Sequence, residues 1–316
     1  MENIRYTPKR FAEVLGITQK ALFEAVGRSD AYSPDDLAAA RALLHRAPPK
    51  QPVRHQLFLN FKGGTGKTSL STSYAFRLAE RGHRVLVIDL DSQGHATKCL
   101  GKEGGSFQHT LYDVLVRKTP LSQVTVATGM PNLSLVPSNL KMSTIDLALM
   151  PMAGREYRLR KALEEAASQY DYVVMDAPPS FGLLNLNAIM AATDLVIPVL
   201  ADFLSYDGLR LLFETLQDLE TDLSHQLESI SIVVNAYNQT FKIAREALSA
   251  LKEHYPEYLL GSVIRQCTKF AQASSEGCPI FGYDPDSKGA ADIEAMLDEV
   301  LRKIGNTGAQ AGAAGA

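Results

Sequence analysis

The chain has 316 residues, of which 46% are hydrophobic and 21% are charged, and its formal net charge is -3. This composition is typical of a globular protein, and the length favours one large α/β domain with a small appendage. Because the chain is slightly acidic, it does not bind nucleic acid through its overall charge. Any such contact requires a local basic patch.

Cysteine usage and hydropathy exclude several further classes. Cys99, Cys267 and Cys278 lie far apart, without metal-ligand spacing or the pattern of a disulfide framework. The N-terminus lacks the apolar segment of a signal peptide, and no apolar run is long enough to span a bilayer. We therefore expect a cytoplasmic, soluble protein.

Residues 1–46 are predicted to form a small helical extension. Thr7 can cap a first helix that stops at Gly16, and Thr18 can cap a second helix over 19–26. Ser33 can cap a third, whose apolar residues fall on one face. These apolar residues are Leu37, Ala40, Leu43 and Leu44.

The order helix, glycine-containing turn, helix is the outline of a helix-turn-helix motif. In the second helix, however, only Gln19 and Lys20 are of the types that read base edges. The sequence favours a degenerate unit used for packing or partner binding. A unit that reads DNA sequence is the alternative.

Beyond a proline-rich linker at 47–53, short β-branched runs alternate with longer amphipathic segments. This alternation predicts an α/β domain over 54–304, with a doubly wound, mostly parallel sheet and helices on both faces. The Gly/Ala-rich segment 305–316 is expected to be disordered. The predicted strands are 56–60, 84–90, 133–137, 172–176, 195–199 and 229–235, and the predicted helices include 69–81, 156–168, 206–219 and 290–304.

A glycine-rich segment, Lys-Gly-Gly-Thr-Gly-Lys-Thr at 62–68, directly follows a predicted strand and precedes a helix. This is the context of a P-loop, in which backbone N–H groups and a helix N-terminus bind phosphates. Lys67 would reach the β- and γ-phosphates of ATP, and Thr68 would offer its hydroxyl to Mg²⁺. The other ATP-binding candidates in the segment are Gly63, Gly64, Thr65, Gly66 and Ser69.

Acidic side chains end two further predicted strands. Asp89 and Asp91 end one, and Asp176 ends the other. Doubly wound folds bind ligands at the carboxyl ends of their strands, so these acids should lie near the loop. One acid can support Mg²⁺ while another orients water for attack on the γ-phosphate. The sequence therefore predicts an ATPase.

With these motifs, the chain resembles the ParA/MinD family of deviant Walker ATPases from about Gln56 to Ile304. Besides the glycine-rich loop, the resemblance rests on Asp-Leu-Asp-Ser-Gln-Gly-His-Ala-Thr at 89–97 and Gly-Arg-Glu-Tyr-Arg-Leu at 154–159. It also rests on Asp-Tyr-Val-Val-Met-Asp-Ala-Pro-Pro-Ser at 171–180 and Tyr-Asp-Pro-Asp-Ser-Lys-Gly-Ala at 283–290.

The resemblance assigns roles to individual residues. It implies that Lys62 crosses to the nucleotide of a partner subunit, so that ATP is sandwiched in a homodimer, much as an arginine finger acts in trans. It further implies that Asp91 positions the attacking water and that Asp89 supports Mg²⁺. Asp176, the acid of the second strand, would be a further Mg²⁺-binding residue, and Asn235 would contact adenine.

The resemblance also implies non-specific DNA binding by the ATP-bound dimer. Lys269 occupies the place of a DNA-contacting arginine in the family, in a segment that also carries Arg265. A second such arginine is replaced here by Thr240, and Lys242 and Arg245 nearby could substitute for it. The C-terminus lacks the basic amphipathic helix of the membrane-binding branch, so no membrane contact is expected.

The expected function is an ATP-dependent dimerising switch that binds the nucleoid and positions cargo or the division site. An activating partner protein with a basic peptide would stimulate hydrolysis. One alternative is a plasmid or chromosome partition ATPase that also regulates specific DNA sites through residues 1–46. A metabolic P-loop ligase is a third possibility, against which Lys62 and the Lys269 segment count.

Overall fold

The computed structural model describes residues 1, 4–46, 48–49, 51–166, 168–202 and 204–314, with the backbone alone at 204–207 and 307–314. Residues 47 and 50 of the predicted linker and 315–316 of the predicted tail lie outside the described residues. The strands are β1 (Arg54–Phe58), β2 (Val85–Asp89), β3 (Val126–Ala127), β4 (Leu133–Val136), β5 (Tyr172–Asp176), β6 (Asp194–Leu200), β7 (Ser229–Tyr237) and β8 (Leu259–Arg265).

These strands form one sheet in the order β3-β4-β2-β5-β1-β6-β7-β8. All neighbours are parallel except β3 and β4, so the predicted doubly wound, mostly parallel sheet is confirmed. Each of the six predicted strands has a counterpart. Two strands at the sheet edges, β3 and β8, were missed.

The helices that surround the sheet follow the strands in alternation. They are α1 (Pro8–Leu15), α2 (Gln19–Ala25), α3 (Pro34–Leu43), α4 (Lys67–Glu80), α5 (His95–Cys99), α6 (Leu111–Arg117), α7 (Leu121–Val124), α8 (Ile145–Leu149), α9 (Arg158–Glu164), α10 (Leu183–Ala191), α11 (Leu204–Leu223), α12 (Lys242–His254), α13 (Lys269–Ser275), α14 (Ile280–Tyr283) and α15 (Lys288–Ala314). Short 3-10 turns lie at Gly104–Ser106, Leu140–Thr144 and Arg155–Tyr157. None of these helices combines the length and apolar character needed to cross a membrane.

Alternate residues along the strands supply two separate cores. Phe58 of β1 packs with α4 and α15 on one face, whereas its neighbour Leu57 packs with α9, α10 and α12 on the other. The same alternation occurs in β2, where Val87 joins the first core and Leu86 the second. Because successive strand side chains point to opposite faces, buried runs of this kind require helices on both sides.

The caps predicted for the N-terminal helices are present. The Thr7 hydroxyl accepts a hydrogen bond from the N–H of Arg10, and α1 ends at Gly16 with φ +66°. Thr18 caps α2, and Ser33 forms a reciprocal capping box with Asp36 at α3. One expectation about α3 is wrong, since Leu43 is 60% exposed rather than part of its buried face.

The extension formed by residues 1–46 is packed on the C-terminal end of α4. The hydroxyl of buried Tyr6 donates to Glu80 Oε1 at 2.8 Å. Arg41 Nε donates to the carbonyl of Glu80 at 3.0 Å, and Arg41 Nη2 donates to the carbonyl of Val14 at 2.8 Å. Phe11 and Tyr32 stack with 4.3 Å between ring centroids and belong to the same core as α4. The extension therefore shares a core with the large domain.

Two predicted helix boundaries need correction. The helix predicted at 156–168 is a 3-10 turn followed by the shorter α9. The last helix was predicted to end at Ile304, but α15 continues through the Gly/Ala-rich segment to Ala314. Alanine has the highest helix propensity, and it offsets the three glycines between Gly305 and Gly312.

Candidate functional site

The loop between β1 and α4 has a backbone shape that glycine alone adopts easily. Gly64 and Gly66 have φ of +74° and +89°, which lie in the left-handed region. A Cβ atom built on Gly66 would lie 2.1 Å from Nδ2 of Asn235. The Asn235 Nδ2 atom donates to the carbonyl of Thr65 at 2.8 Å. Asn235, near the end of β7, thus supports the loop through this hydrogen bond. The residue predicted to contact adenine therefore lies beside the loop.

The two loop lysines have different environments. Lys67 is 7% exposed, and its Nζ donates to the carbonyl of Lys62 at 3.1 Å, so its side chain curls back over the loop. Burial lowers the pKa of Lys67. The Nζ of Lys62 forms an ion pair with Asp202, with distances of 2.8 and 3.0 Å to its two carboxylate oxygens. Asp202, which follows β6, is a site residue that the sequence analysis missed.

Thr68 and Asp176 meet at the first turn of α4, where Ser69 also lies. The Thr68 hydroxyl donates to Asp176 Oδ2 at 2.7 Å, and the Ser71 hydroxyl donates to Asp176 Oδ1 at 3.0 Å. Ser71 was not predicted, although its spacing of three residues from Thr68 places both hydroxyls on one helix face. The structure therefore brings together two of the three residues predicted to bind Mg²⁺.

The third residue, Asp89, is turned toward the protein interior. It is fully buried, and its Oδ2 accepts hydrogen bonds from the N–H and hydroxyl of Thr97 at 2.8 and 2.6 Å. Its Oδ1 accepts from the N–H of Asp91 at 3.1 Å. Both carboxylate oxygens thus have protein donors, and we propose for Asp89 the indirect role of orienting the backbone that carries Asp91. Thr97 was another residue missed from the sequence.

Asp91 itself lies just beyond β2 and is partly exposed. Its Oδ1 accepts a hydrogen bond from the N–H of Gln93 at 2.9 Å, which fixes the side chain in a tight turn. Its negative charge acts to raise the pKa of both Lys67 and Asp176. This position beside the loop is suitable for a residue that orients water.

The two buried carboxyl groups of the site both have raised pKa values. Asp89 and Asp176 occupy matched positions on the neighbouring strands β2 and β5. Burial, reinforced by the Asp176 charge, raises the pKa of Asp89 to about 7. Burial raises the pKa of Asp176 to about 6, against the lowering effect of its hydroxyl donors and Lys67. A nearby divalent cation would favour the ionised forms, so this donor set fits Mg²⁺.

The cation would also need ligands from outside the protein. Among the described residues, no group of three or more His, Cys, Asp or Glu side chains is arranged to hold a metal ion. Mg²⁺ usually takes one or two protein oxygens together with waters and substrate phosphates. Thr68 and Asp176 match that requirement beside a phosphate-binding loop.

The raised carboxyl pKa values make stability depend on pH. Between about pH 4 and pH 7 the folded form binds these protons more tightly than the unfolded form, so both acids lower stability as pH rises. The half-buried histidines His55, His83 and His225, whose pKa values are lowered by burial, act in the opposite direction.

We therefore compare the wild type with Asp176→Asn by thermal unfolding without ligand at about pH 5.5 and pH 8. On going to the higher pH the variant should gain about 2–3 °C relative to the wild type, because a folded pKa of about 6 leaves roughly 1 kcal/mol or less to be lost above pH 5.5. Mg²⁺ with ADP should reduce the difference by stabilising the wild type. An identical pH dependence in both proteins without ligand would contradict the assigned pKa shift.

The four cations predicted to contact DNA lie elsewhere, at the carboxyl ends of β7 and β8. Arg265 ends β8, and its Nε and Nη2 donate to Asp292 at 3.0 and 2.7 Å. Lys269 begins α13, 3.4 Å from Asp284 Oδ2. The helix after β7 carries Lys242, which pairs with Glu246 at 3.4 Å, and Arg245, whose Nη1 donates to the carbonyl of Gln239 at 2.7 Å.

Comparison with known proteins relates the chain to a set of nucleotide-binding partition and division proteins. Residues 54–229 match the family model of an AAA domain. The chain is 65% identical over 304 residues to the cell division protein PomZ of Myxococcus xanthus, covering 96% of this chain and 95% of that protein. It is 34% identical to the sporulation initiation inhibitor protein Soj of Bacillus subtilis, covering 76% of this chain and 93% of that protein.

Solved structures share the fold. Cobyrinic acid a,c-diamide synthase from Mycobacterium smegmatis, with bound ADP and magnesium, superposes with a TM-score of 0.69 at 28% identity, covering 79% of this chain and 94% of that one. The septum site-determining protein MinD of Pyrococcus horikoshii, complexed with Mg-ADP, gives a TM-score of 0.66 at 20% identity, covering 81% and 98%. With its glycine-rich loop, its acids at the ends of β2 and β5 and these relatives, the chain belongs to the ParA/MinD family of P-loop ATPases.

Proposed function

We propose that this ATPase binds ATP with Mg²⁺, dimerises around the nucleotide, and in that state binds nucleoid DNA to position the division site. The observation that carries the proposal is the 65% identity to PomZ over 96% of this chain. Such coverage includes most of the extension at residues 1–46, so the relationship is not confined to the nucleotide-binding domain. Hydrolysis returns the protein to a state of low DNA affinity.

The site divides the chemistry of hydrolysis among its residues. The backbone from Gly63 to Ser69 and the Lys67 ammonium would bind the phosphates. Thr68 and Asp176 would hold Mg²⁺, which would offset the negative charge on the phosphates. Asp91 orients water toward the γ-phosphate. We expect that Asp91→Ala binds ATP but hydrolyses it at least about a hundredfold more slowly, since positioning of the nucleophile is lost.

Lys62 is suited to act in a partner subunit because its backbone is fixed while its side chain is held weakly. The N–H of Lys62 donates to Asn60 Oδ1 at 2.9 Å, and Asn60 in turn donates to the carbonyl of Pro198 at 2.8 Å. Its ion pair with Asp202 is about one-third exposed on both sides. Such pairs contribute about 1 kcal/mol or less. The ammonium group can therefore leave Asp202 for a phosphate of the partner's nucleotide.

Dimerisation explains how ATP controls DNA binding. Two protomers joined by nucleotide present twice the number of contacts to DNA phosphates. The affinity for DNA rises because, once one protomer is bound, the contacts of the other form intramolecularly. The cations Arg265, Lys269, Lys242 and Arg245 would supply these contacts at the ends of β7 and β8. A partner protein with a basic peptide would then stimulate hydrolysis and release the dimer.

We expect that Lys269→Glu lowers the affinity of the ATP-bound protein for random-sequence duplex DNA by on the order of tenfold or more at low salt. The new carboxylate would repel DNA phosphates and would also face Asp284. The measurement is fluorescence anisotropy, with the ATPase rate recorded with and without DNA. Lys20→Glu, at a lysine on α2 whose side chain is 86% exposed, is the matched control. Unchanged DNA affinity of Lys269→Glu would show that the basic face is misplaced.

One structural relative supports a second candidate function. The resemblance to cobyrinic acid a,c-diamide synthase at 28% identity keeps a metabolic P-loop ligase under consideration. A screen for ATP-dependent turnover of small molecules without DNA tests it. We prefer the positioning switch because Lys62 and the Lys269 segment have no role in a ligase. For the sequence-specific regulator, α2 offers Lys20 paired with Glu24 at 3.9 Å, which gives no support to base reading.

A further inference from the structure

A groove of about 350 Å³ lies at the carboxyl ends of β7 and β8, beside the four cations described above. We call it the β7–β8 groove. Two of its lining residues carry positive charge, and most of the others present amide or hydroxyl groups. The lining residues used below are Asn238, Gln239, Thr240, Arg265, Gln266 and Lys288.

Hydrogen bonds hold the polar wall of this groove in place. The N–H of Gln266 donates to the carbonyl of Tyr237 at 3.0 Å, which joins the ends of the two strands. Asn238 Nδ2 donates to Gln266 Oε1 at 3.3 Å, and Asn238 Oδ1 accepts from the Thr240 hydroxyl at 2.7 Å. Arg245 Nη1 adds a bond to the carbonyl of Gln239 at 2.7 Å. The groove is therefore formed before any ligand arrives.

Unlike three of the four neighbouring cations, Lys288 has no acidic partner among the described residues. Arg265 is paired with Asp292, and Lys242 and Lys269 are each paired with a carboxylate within 3.4 Å. Within the described parts of the chain, no carboxylate lies at ion-pair distance from Lys288. Lys288 is also exposed, so its ammonium group is accessible to a ligand.

The backbone at Lys288 is fixed. Lys288 is the first residue of α15, and its carbonyl accepts a hydrogen bond from Arg265 Nη2 at 3.5 Å. The next residue, Gly289, is packed so closely that an added Cβ would lie 2.7 Å from Ile280 Cδ1 and 2.9 Å from Phe270 Cε2. The backbone of Lys288 is thus held in place at the groove, while its flexible side chain leaves the ammonium group free to reach a ligand.

We propose that the β7–β8 groove binds a phosphate of the DNA backbone, with Lys288 as its main cation. This inference rests on the proposed DNA binding and adds a residue and a site to it. A phosphodiester carries one negative charge and accepts hydrogen bonds from ammonium, guanidinium and amide groups, which are the groups that this groove offers. Lysine binds phosphate as a point charge, so the contact is independent of base sequence.

The test measures DNA binding of the ATP-bound protein at several salt concentrations, using random-sequence duplexes and fluorescence anisotropy. Each lost phosphate contact reduces the magnitude of the slope of log affinity against log salt by about one and the affinity roughly tenfold at 0.1 M salt. A dimer that loses one contact per protomer should therefore lose about two in slope and on the order of a hundredfold in affinity. We expect this from Lys288→Ala. Lys288→Arg should retain binding, and Lys20→Ala, which removes another exposed lysine, should leave affinity and slope as in the wild type.

The outcomes separate this inference from the proposed function. If the wild type with ATP binds no DNA, the proposed DNA binding fails, and the groove assignment fails with it. If the wild type binds but Lys288→Ala binds equally well with an unchanged salt slope, the groove assignment alone is overturned. The same samples are measured for dimer mass, and loss of the dimer in Lys288→Ala would overturn a direct contact.

Discussion

Removal of residues 1–46 will strongly destabilise the protein. The Tyr6 hydroxyl donates to buried Glu80 at 2.8 Å. Ile4 packs so closely on Gly282 that a Cβ added to this glycine would lie 3.0 Å from Ile4 Cδ1. Large buried apolar side chains contribute roughly 2–3 kcal/mol each, so losing two such contacts costs about 5 kcal/mol. The free energy of unfolding of a typical domain is only about 5–15 kcal/mol. The melting temperature should therefore fall by about 10–20 °C.

Two variants complete this test. Tyr6→Phe removes the hydroxyl donor to Glu80 and should lower the melting temperature by a few degrees, since a buried acceptor loses a partner at about 1–3 kcal/mol. Lys9→Ala changes a lysine whose side chain is 78% exposed and should leave stability unchanged. If the truncated chain melts like the full chain, the extension is not part of the core.

Gly66→Ala will strongly weaken nucleotide binding. The residue has φ +89°, and the left-handed region costs a side-chain-bearing residue about 1–2 kcal/mol. Its Cβ would also lie 2.1 Å from Asn235 Nδ2, so the hydrogen bond from Asn235 to Thr65 must break. We expect the dissociation constant of Mg-ADP to rise by on the order of a hundredfold, as measured by calorimetry.

Gly105→Ala provides the control for that substitution. It also adds one methyl group to a glycine, but nothing lies within 4 Å of the added Cβ and its φ is not in the left-handed region. This variant should bind Mg-ADP like the wild type. Near-normal affinity in Gly66→Ala would mean that the loop has a different shape from the one described.

Much of the fold could be predicted because its signals are local. The central strands are continuous apolar runs, and the N-terminal helices begin at Thr7, Thr18 and Ser33, whose side chains cap them. The missed strands lack such signals. The two residues of β3 are too few to show a pattern, and β8 is interrupted by Gly261 and Ser262 and only partly buried.

The same distinction applies to the site. The glycine-rich loop is one contiguous segment, and its order of residues is itself the signal. The partners that determine how its side chains act come from distant segments, as with Asp202, which pairs with Lys62. Such pairings depend on how the strands are ordered in the sheet, which one sequence does not specify.

The central claim is that ATP joins two protomers through Lys62. It is tested most directly by the solution mass of Asp91→Ala with Mg-ATP, measured by light scattering after gel filtration. We expect a mass twice the 34.5 kDa of one chain, because slow hydrolysis preserves the sandwich. The double variant Asp91→Ala, Lys62→Ala should remain near 34.5 kDa while still binding ATP. An ATP-bound Asp91→Ala protein with the mass of a single chain would contradict the account.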